Sequence, residues 1–173
     1  SYGCSFTAFV GGAPSTVHED TVTAVASDEE GNELTRDDPA TVDINDLDSS
    51  CTLTQTANLT SVNEPSDSVE FSIRIDNDSA VDVLTINSLV DTAFGNLDGH
   101  GNCVLPQDIA PGSNYSCTYT ADVGGPGGTS HSNTATANGA DDDGNARMCS
   151  DSAKVDIRDV APSATLTKEA IEA

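Results

Sequence analysis

Carboxylates and amides gather at two turns of the chain, and oxygen-ligand chemistry is the first that they could do. Asp141, Asp142, Asp143, Asn145 and Asp151 lie on and after the turn of GADDDGNARMCSD. Asp28, Glu29, Glu30, Asn32 and Asp38 repeat the spacing in ASDEEGNELTRDD. Calcium takes about six to eight oxygens from carboxylates, amides and carbonyls. Asp141, Asp143, Asn145 and Asp151 are therefore one candidate calcium set, and Asp28, Asn32 and Asp38 are its counterpart. This is not an EF-hand, because the spacing differs and the closing Glu is missing. The same residues equally suit a Gly-Asn hairpin turn whose acids face water.

A third acidic stretch is VDINDLDSS, Val42 to Ser50. Its Asp43, Asp46 and Asp48 superficially resemble the acidic linkers of cadherins, where calcium stiffens adjacent domains. At the next junction Asp156 and Asp159 keep two of the acids, while Ala161 replaces the third. The plainer reading is a terminal strand followed by a polar linker.

Five cysteines without a CxxC pair point to an oxidising compartment rather than zinc. Cys103 and Cys117 flank LPQDIAPG and are expected to bridge neighbouring strands. Cys51 and Cys149 are expected to form a second bridge. Cys4 is the odd cysteine: either the chain is a window on a longer array, or Cys4 bonds another molecule. Three acceptor sequons, at Asn58, Asn77 and Asn114, mark candidate glycosylation sites. Asn77, in a turn, is expected to be the most accessible.

No constellation for catalysis is legible, and the chain reads as a non-enzyme. His18 and His131 have different surroundings and no triad partners in matching order. His100 reads as a loop residue. The glycines of VGGPGG lack the strand-to-helix context of a phosphate loop. Only six Lys and Arg face 29 Asp and Glu, for a net charge of -23. That balance disfavours nucleic acid and anionic membrane. No apolar run approaches the roughly 18 residues that span a bilayer, and any secretory leader has been removed or lies upstream.

The elements that must position these residues follow from an internal repeat. Residues 1–60 align without gaps on 114–173 at a constant offset of 113, with about two in five positions identical. YGCSFTAFVGG lies on YSCTYTADVGG, ATVDIND on AKVDIRD, and SCTLT on SATLT. Cys51 aligns with Ala164 and Cys149 with Arg36, so the two cysteines of the second expected bridge are absent together. The period of about 113 residues suits one immunoglobulin-like sandwich. It divides the chain into the second half of one unit (1–47), a complete unit (48–160), and the first strand of a next unit or a donated strand (161–173). Within the complete unit, CTLTQTANL, VEFSIRID, AVDVLTINSL, NCVLP, APGSNYSCTYTADV, Asn133–Asn138 and Ala153–Ile157 read as strands. Tyr2 and Tyr115 read as core or corner residues, and Phe94 as a loop aromatic.

The CVLPQDIAPGSNYSC segment followed by NTATANGADDDGN resembles the tandem immunoglobulin-like repeats of unknown function found in prokaryotic cell-surface and secreted proteins. The match spans the complete unit and both partial ones. The resemblance departs at Asp108-Ile109, and at Cys51 and Cys149, an added bridge. It implies an extracellular, all-β sandwich in a long stalk, adhesin or filament; the reading preferred from the repeat is a structural filament, fibre or stalk whose partner is itself, as a head-to-tail polymer or as tandem repeats. The alternative is an adhesin whose loops bind glycan or protein, which would place exposed aromatics on those loops.

Overall fold

The computed structural model describes residues 2–171 and is all-β, with no helix among them. The chain divides into two compact units, Ser1–Asp48 and Ser49–Ala173.

Unit 2 is two sheets around one core. The first sheet has the order β3 (Cys51–Ala57), β5 (Ser66–Asn77), β9 (Asn114–Gly124). The second has β4 (Ser61–Asn63), β11 (Ala146–Arg158), β10 (Ser130–Asp141), β6 (Leu84–Asp91), with β7 (Gly95–Asn96) and β8 (Gln107–Ile109) on the far side of β6. All pairs are antiparallel except β4 on β11, which is parallel. The strands form where β-branched and aromatic residues alternate with polar ones, because that period puts one set on each face. On β5, Val69, Phe71, Ile73 and Ile75 are buried to 1% exposure or less, while Glu70 and Arg74 face water. From the other sheet, Leu84, Ile86, Leu89, Ala135, Ala137 and Val155 close the core. Each large apolar side chain so buried contributes about 1.5–3 kcal/mol.

Two glycines permit close backbone approach. A Cβ on Gly139 would lie 2.0 Å from the Thr85 carbonyl, at the bulge where β10 shifts register against β6. A Cβ on Gly101 would lie 2.1 Å from the Thr118 carbonyl, so the 98–103 turn can lie against β9 only with glycine there. NCVLP, expected as a strand, is instead part of this turn and the bend after it. Its polar groups bond sideways to β9: Asn102 N–H donates to Thr118 O and Thr118 N–H to Asn102 Oδ1. The strand comes just after, as β8.

Unit 1 is a single hairpin, β1 (Thr16–Ser27) on β2 (Glu33–Ile44). Its register is that of β10–β11 shifted by the repeat offset: His18 faces Val42 as His131 faces Val155. Residues 2–12, the counterpart of most of β9, form no strand, and Tyr2 is 92% exposed rather than a core or corner residue. In unit 2, β9 is held by β5 on one side; no β5 counterpart exists among the described residues of unit 1. Residues 159–171 also carry no regular structure.

Candidate functional site

The most constrained chemistry in unit 2 is a polar cluster buried between the two sheets. Asp91, at the end of β6, is 2% exposed. Its Oδ2 accepts from Asn133 Nδ2 at 2.5 Å, Gln55 Nε2 at 3.1 Å and Tyr119 Oη at 3.1 Å. Its Oδ1 accepts from the backbone N–H groups of Ala93 and Phe94, which shape the turn into β7. Gln55 Oε1 in turn accepts from Ala135 N–H. Burial, followed by the neighbouring Asp91 charge, pushes the Tyr119 hydroxyl above its ordinary range, so it remains a donor. Phe71, Phe94 and Tyr119 stack around this cluster with centroids 5.3–5.8 Å apart, and His131 lies 5.4 Å from Phe94. Phe94 thus turns into the core from its loop. The arrangement ties β3, β6, β9 and β10 together. Sequence reasoning missed it, because Gln55, Asp91 and Asn133 sit on three separate strands and only the fold brings them together.

The candidate calcium residues are used differently from the expectation. Asp141 is 6% exposed and plugs its own turn, accepting from Asn145 N–H and Asn145 Nδ2 and from Ser49 Oγ. Arg147 lies 3.0 Å away. Asn145 is committed to that turn, and Asp151, on β11, accepts Gln55 N–H at 2.9 Å. Asp141, Asp143, Asn145 and Asp151 therefore do not converge as one ligand set. Their counterparts behave alike: Asp28 accepts from Asn32 N–H, Asn32 Nδ2 and Glu30 N–H, while Asp38 sits on β2 opposite Val22. Asp43 is also on β2, opposite Val17, and Asp46 and Asp48 follow its end. The acids that do meet are Asp82, Asp142 and Asp143, with ligand oxygens within 4.8 Å of one another. Asp82 was not legible as a member, since it lies 60 residues from Asp142. Asp82 accepts from Ser79 Oγ and Asp142 from Val83 N–H, so both also serve the loop before β6. Three carboxylates supply about half of a calcium shell.

Burial opposes ionisation of Asp141, but the bonds from Ser49 and Asn145 and the Arg147 charge outweigh it and hold its carboxyl below the usual range. A lowered native value means that the stabilisation is present above the unfolded value and lost as pH falls through the native one. Asp141→Asn should therefore flatten the acid limb of stability below about pH 4. Thermal unfolding across that range, wild type against variant, reads it, and parallel acid limbs would refute it.

Among the sequons, Asn77 is 2% exposed, contrary to expectation. Its Nδ2 donates to the Asp82 and Ile109 carbonyls and its Oδ1 accepts Ser79 N–H, so the amide is a structural plug. Asn58 and Asn114 are exposed.

Cys51 is bonded to Cys149 and Cys103 to Cys117, which indicates an oxidising environment. Cys4 is free and exposed. Among the described residues, no helix is long and apolar enough to cross a membrane.

No family model matches the chain, and no curated protein matches it. Among solved structures it is similar to a Bordetella pertussis protein provisionally assigned as ApaA, at 15% identity over 64% of this chain and 94% of that one, with a TM-score of 0.40. That likeness carries no argument about function.

Proposed function

We propose that the chain is a non-enzymatic structural segment of an extracellular filament, fibre or stalk, built from tandem immunoglobulin-like sandwich repeats that associate with themselves. The observation that carries this reading is the recurrence of one hairpin, in one register, at the repeat offset in two separate units. A chain that repeats a whole sandwich lengthens without changing its cross-section, which is what a fibre requires. Two disulfides and the buried Asp91 cluster brace the repeat in the manner of an extracellular module.

The adhesin reading is less well supported. Phe94 is packed into the core, and the Tyr115 hydroxyl is tied to Val104 N–H at 2.8 Å. Neither serves as an exposed loop anchor for glycan, and the exposed aromatics Tyr2, Phe6 and Phe9 lie on the irregular segment 2–12 of unit 1 rather than on a loop of the sandwich.

Electron microscopy of the native material tests the proposal. Long uniform filaments or stalks are expected, and single short particles would refute it. Calcium stiffening now rests on Asp82, Asp142 and Asp143. Imaging with and without a chelator tests it separately, with unchanged stiffness as the refuting result.

A further inference from the structure

The inner face of the unit 1 hairpin aligns with the core face of unit 2 and keeps apolar residues at several of its positions, yet it is exposed. Val22 is 56% exposed where its counterpart Ala135 is 0%, and Val42 is 49% exposed where Val155 is 0%. Phe6 is 73% exposed where Tyr119 is 2%. Leaving such side chains in water forfeits the main driving force of folding. Unit 2 shows what covers this face: the strands of residues 49–109, which reach β9 through the short connection 110–113 of the same polypeptide.

We infer that the β1–β2 face of unit 1 is covered by a first-half segment of the same repeat, the counterpart of residues 49–113, supplied on the same polypeptide ahead of residues 2–12. The inference rests on the tandem-repeat reading and goes on to name the partner of that face. Two residues specify the partner. Cys4 is the counterpart of Cys117, whose bridge runs to Cys103 within the first half of unit 2. The cover therefore carries the Cys103 counterpart and bonds Cys4. The two thiols lose two protons and two electrons to an oxidant disulfide, such as oxidised glutathione, which leaves as two thiols. Asp20 is the counterpart of Asn133, which donates to Asp91 at 2.5 Å. Two carboxylates at that separation cannot both stay ionised. The cover therefore presents a hydrogen-bond donor to Asp20 from the Asp91 position.

The test compares the 173-residue chain with an extended chain in which residues 48–113 are repeated ahead of Ser1. The added copy carries Asp91→Asn, to face Asp20, and Cys51→Ala, because Arg36 stands where its cysteine partner would be. Both chains are equilibrated in a glutathione redox buffer. The readouts are Cys4 thiol titration, disulfide mapping and amide exchange over residues 16–44. In the 173-residue chain Cys4 should react freely and the hairpin amides exchange fast at every protein concentration. In the extended chain Cys4 should be bridged to the added cysteine, with hairpin exchange slowed on the order of a hundredfold or more. Val22→Asp should abolish that slowing in the extended chain and change nothing in the 173-residue chain. Fast exchange or a free Cys4 in the extended chain, with unit 2 melting normally, overturns the inference. So does protection in the 173-residue chain, whether dilute, where the chain covers itself, or concentration-dependent, where a second copy does. Microscopy of the native material decides the fibre reading independently, so the two can fail separately.

Discussion

Asp91→Ala should cost unit 2 on the order of 3–5 kcal/mol, a large share of the roughly 5–15 kcal/mol that holds a domain together. The substitution removes one carboxylate that accepts from five donors, Asn133 Nδ2, Gln55 Nε2, the Tyr119 hydroxyl and the Ala93 and Phe94 N–H groups, and leaves the two amides only a longer bond to Tyr119 Oη at 3.3 Å. The three side chains are buried between sheets, where water cannot replace the lost acceptor without opening the core. Tyr119→Phe should cost less, about 1–2 kcal/mol, because the carboxylate keeps four of its donors and the hydroxyl otherwise only accepts longer bonds from Gln55 Nε2 and Asn133 Nδ2 at 3.3 Å. Asp91→Asn should fall between, since one amide N–H₂ must then face other donors. Urea unfolding of the oxidised protein measures all three. A loss below about 1 kcal/mol for Asp91→Ala would mean that the cluster relaxes without penalty, and it would refute the bracing role.

The parts of this fold that local chemistry dictates were legible in the sequence. Alternation on β5 assigned its buried face because a period of two has one physical reading. The turn chemistry of Asp141 and Asn145 was legible as a hairpin, and the structure uses both residues for that turn. The parts that depend on distant partners were not. Asp82 joins Asp142 and Asp143 only because β6 lies beside β10, a pairing that no local pattern encodes. Asn77 read as a turn asparagine open to solvent, but the β8 loop folds over it and its amide satisfies two carbonyls. The same limit explains NCVLP, whose β-branched and aliphatic residues suggested a strand. Its cysteine and the Asn102 amide hold it as a turn against β9 instead. Asp151 shows the point from the other side. An acid that could have been a metal ligand spends its carboxylate on Gln55 N–H of the edge strand β3. An edge N–H blocked in this way cannot recruit a foreign strand.

Removing the Cys51–Cys149 bridge, as the double Ala variant, should destabilise unit 2 by about 4–5 kcal/mol, more than removing Cys103–Cys117 at about 3 kcal/mol. The bridges close loops of very different length, with sequence separations of 98 and 14. The longer loop restricts the unfolded chain more, and in the chain-entropy account the constraint grows with the logarithm of loop length. Their positions in the fold sharpen the contrast. Cys51 opens β3 in one sheet and Cys149 lies on β11 in the other, so this bridge fastens two sheets that share no backbone ladder. Two residues beyond Cys149, Asp151 makes the next link to β3, so after loss of the bridge β3 meets the other sheet only through that bond, the Gln55 side-chain bonds to Asp91 and Ala135, and side-chain packing. Cys103 instead sits in the turn that lies against β9, and its bridge fastens a loop to an edge strand. Loss of the first bridge should therefore lower protection against amide exchange throughout both sheets. Loss of the second should concentrate its effect at residues 98–106 and the adjoining part of β9. Thermal unfolding and exchange on the two variants measure both contrasts. Equal losses in stability, or a local signature from the Cys51–Cys149 variant, would show that the sheets are held by their shared core rather than by the long-range bridge.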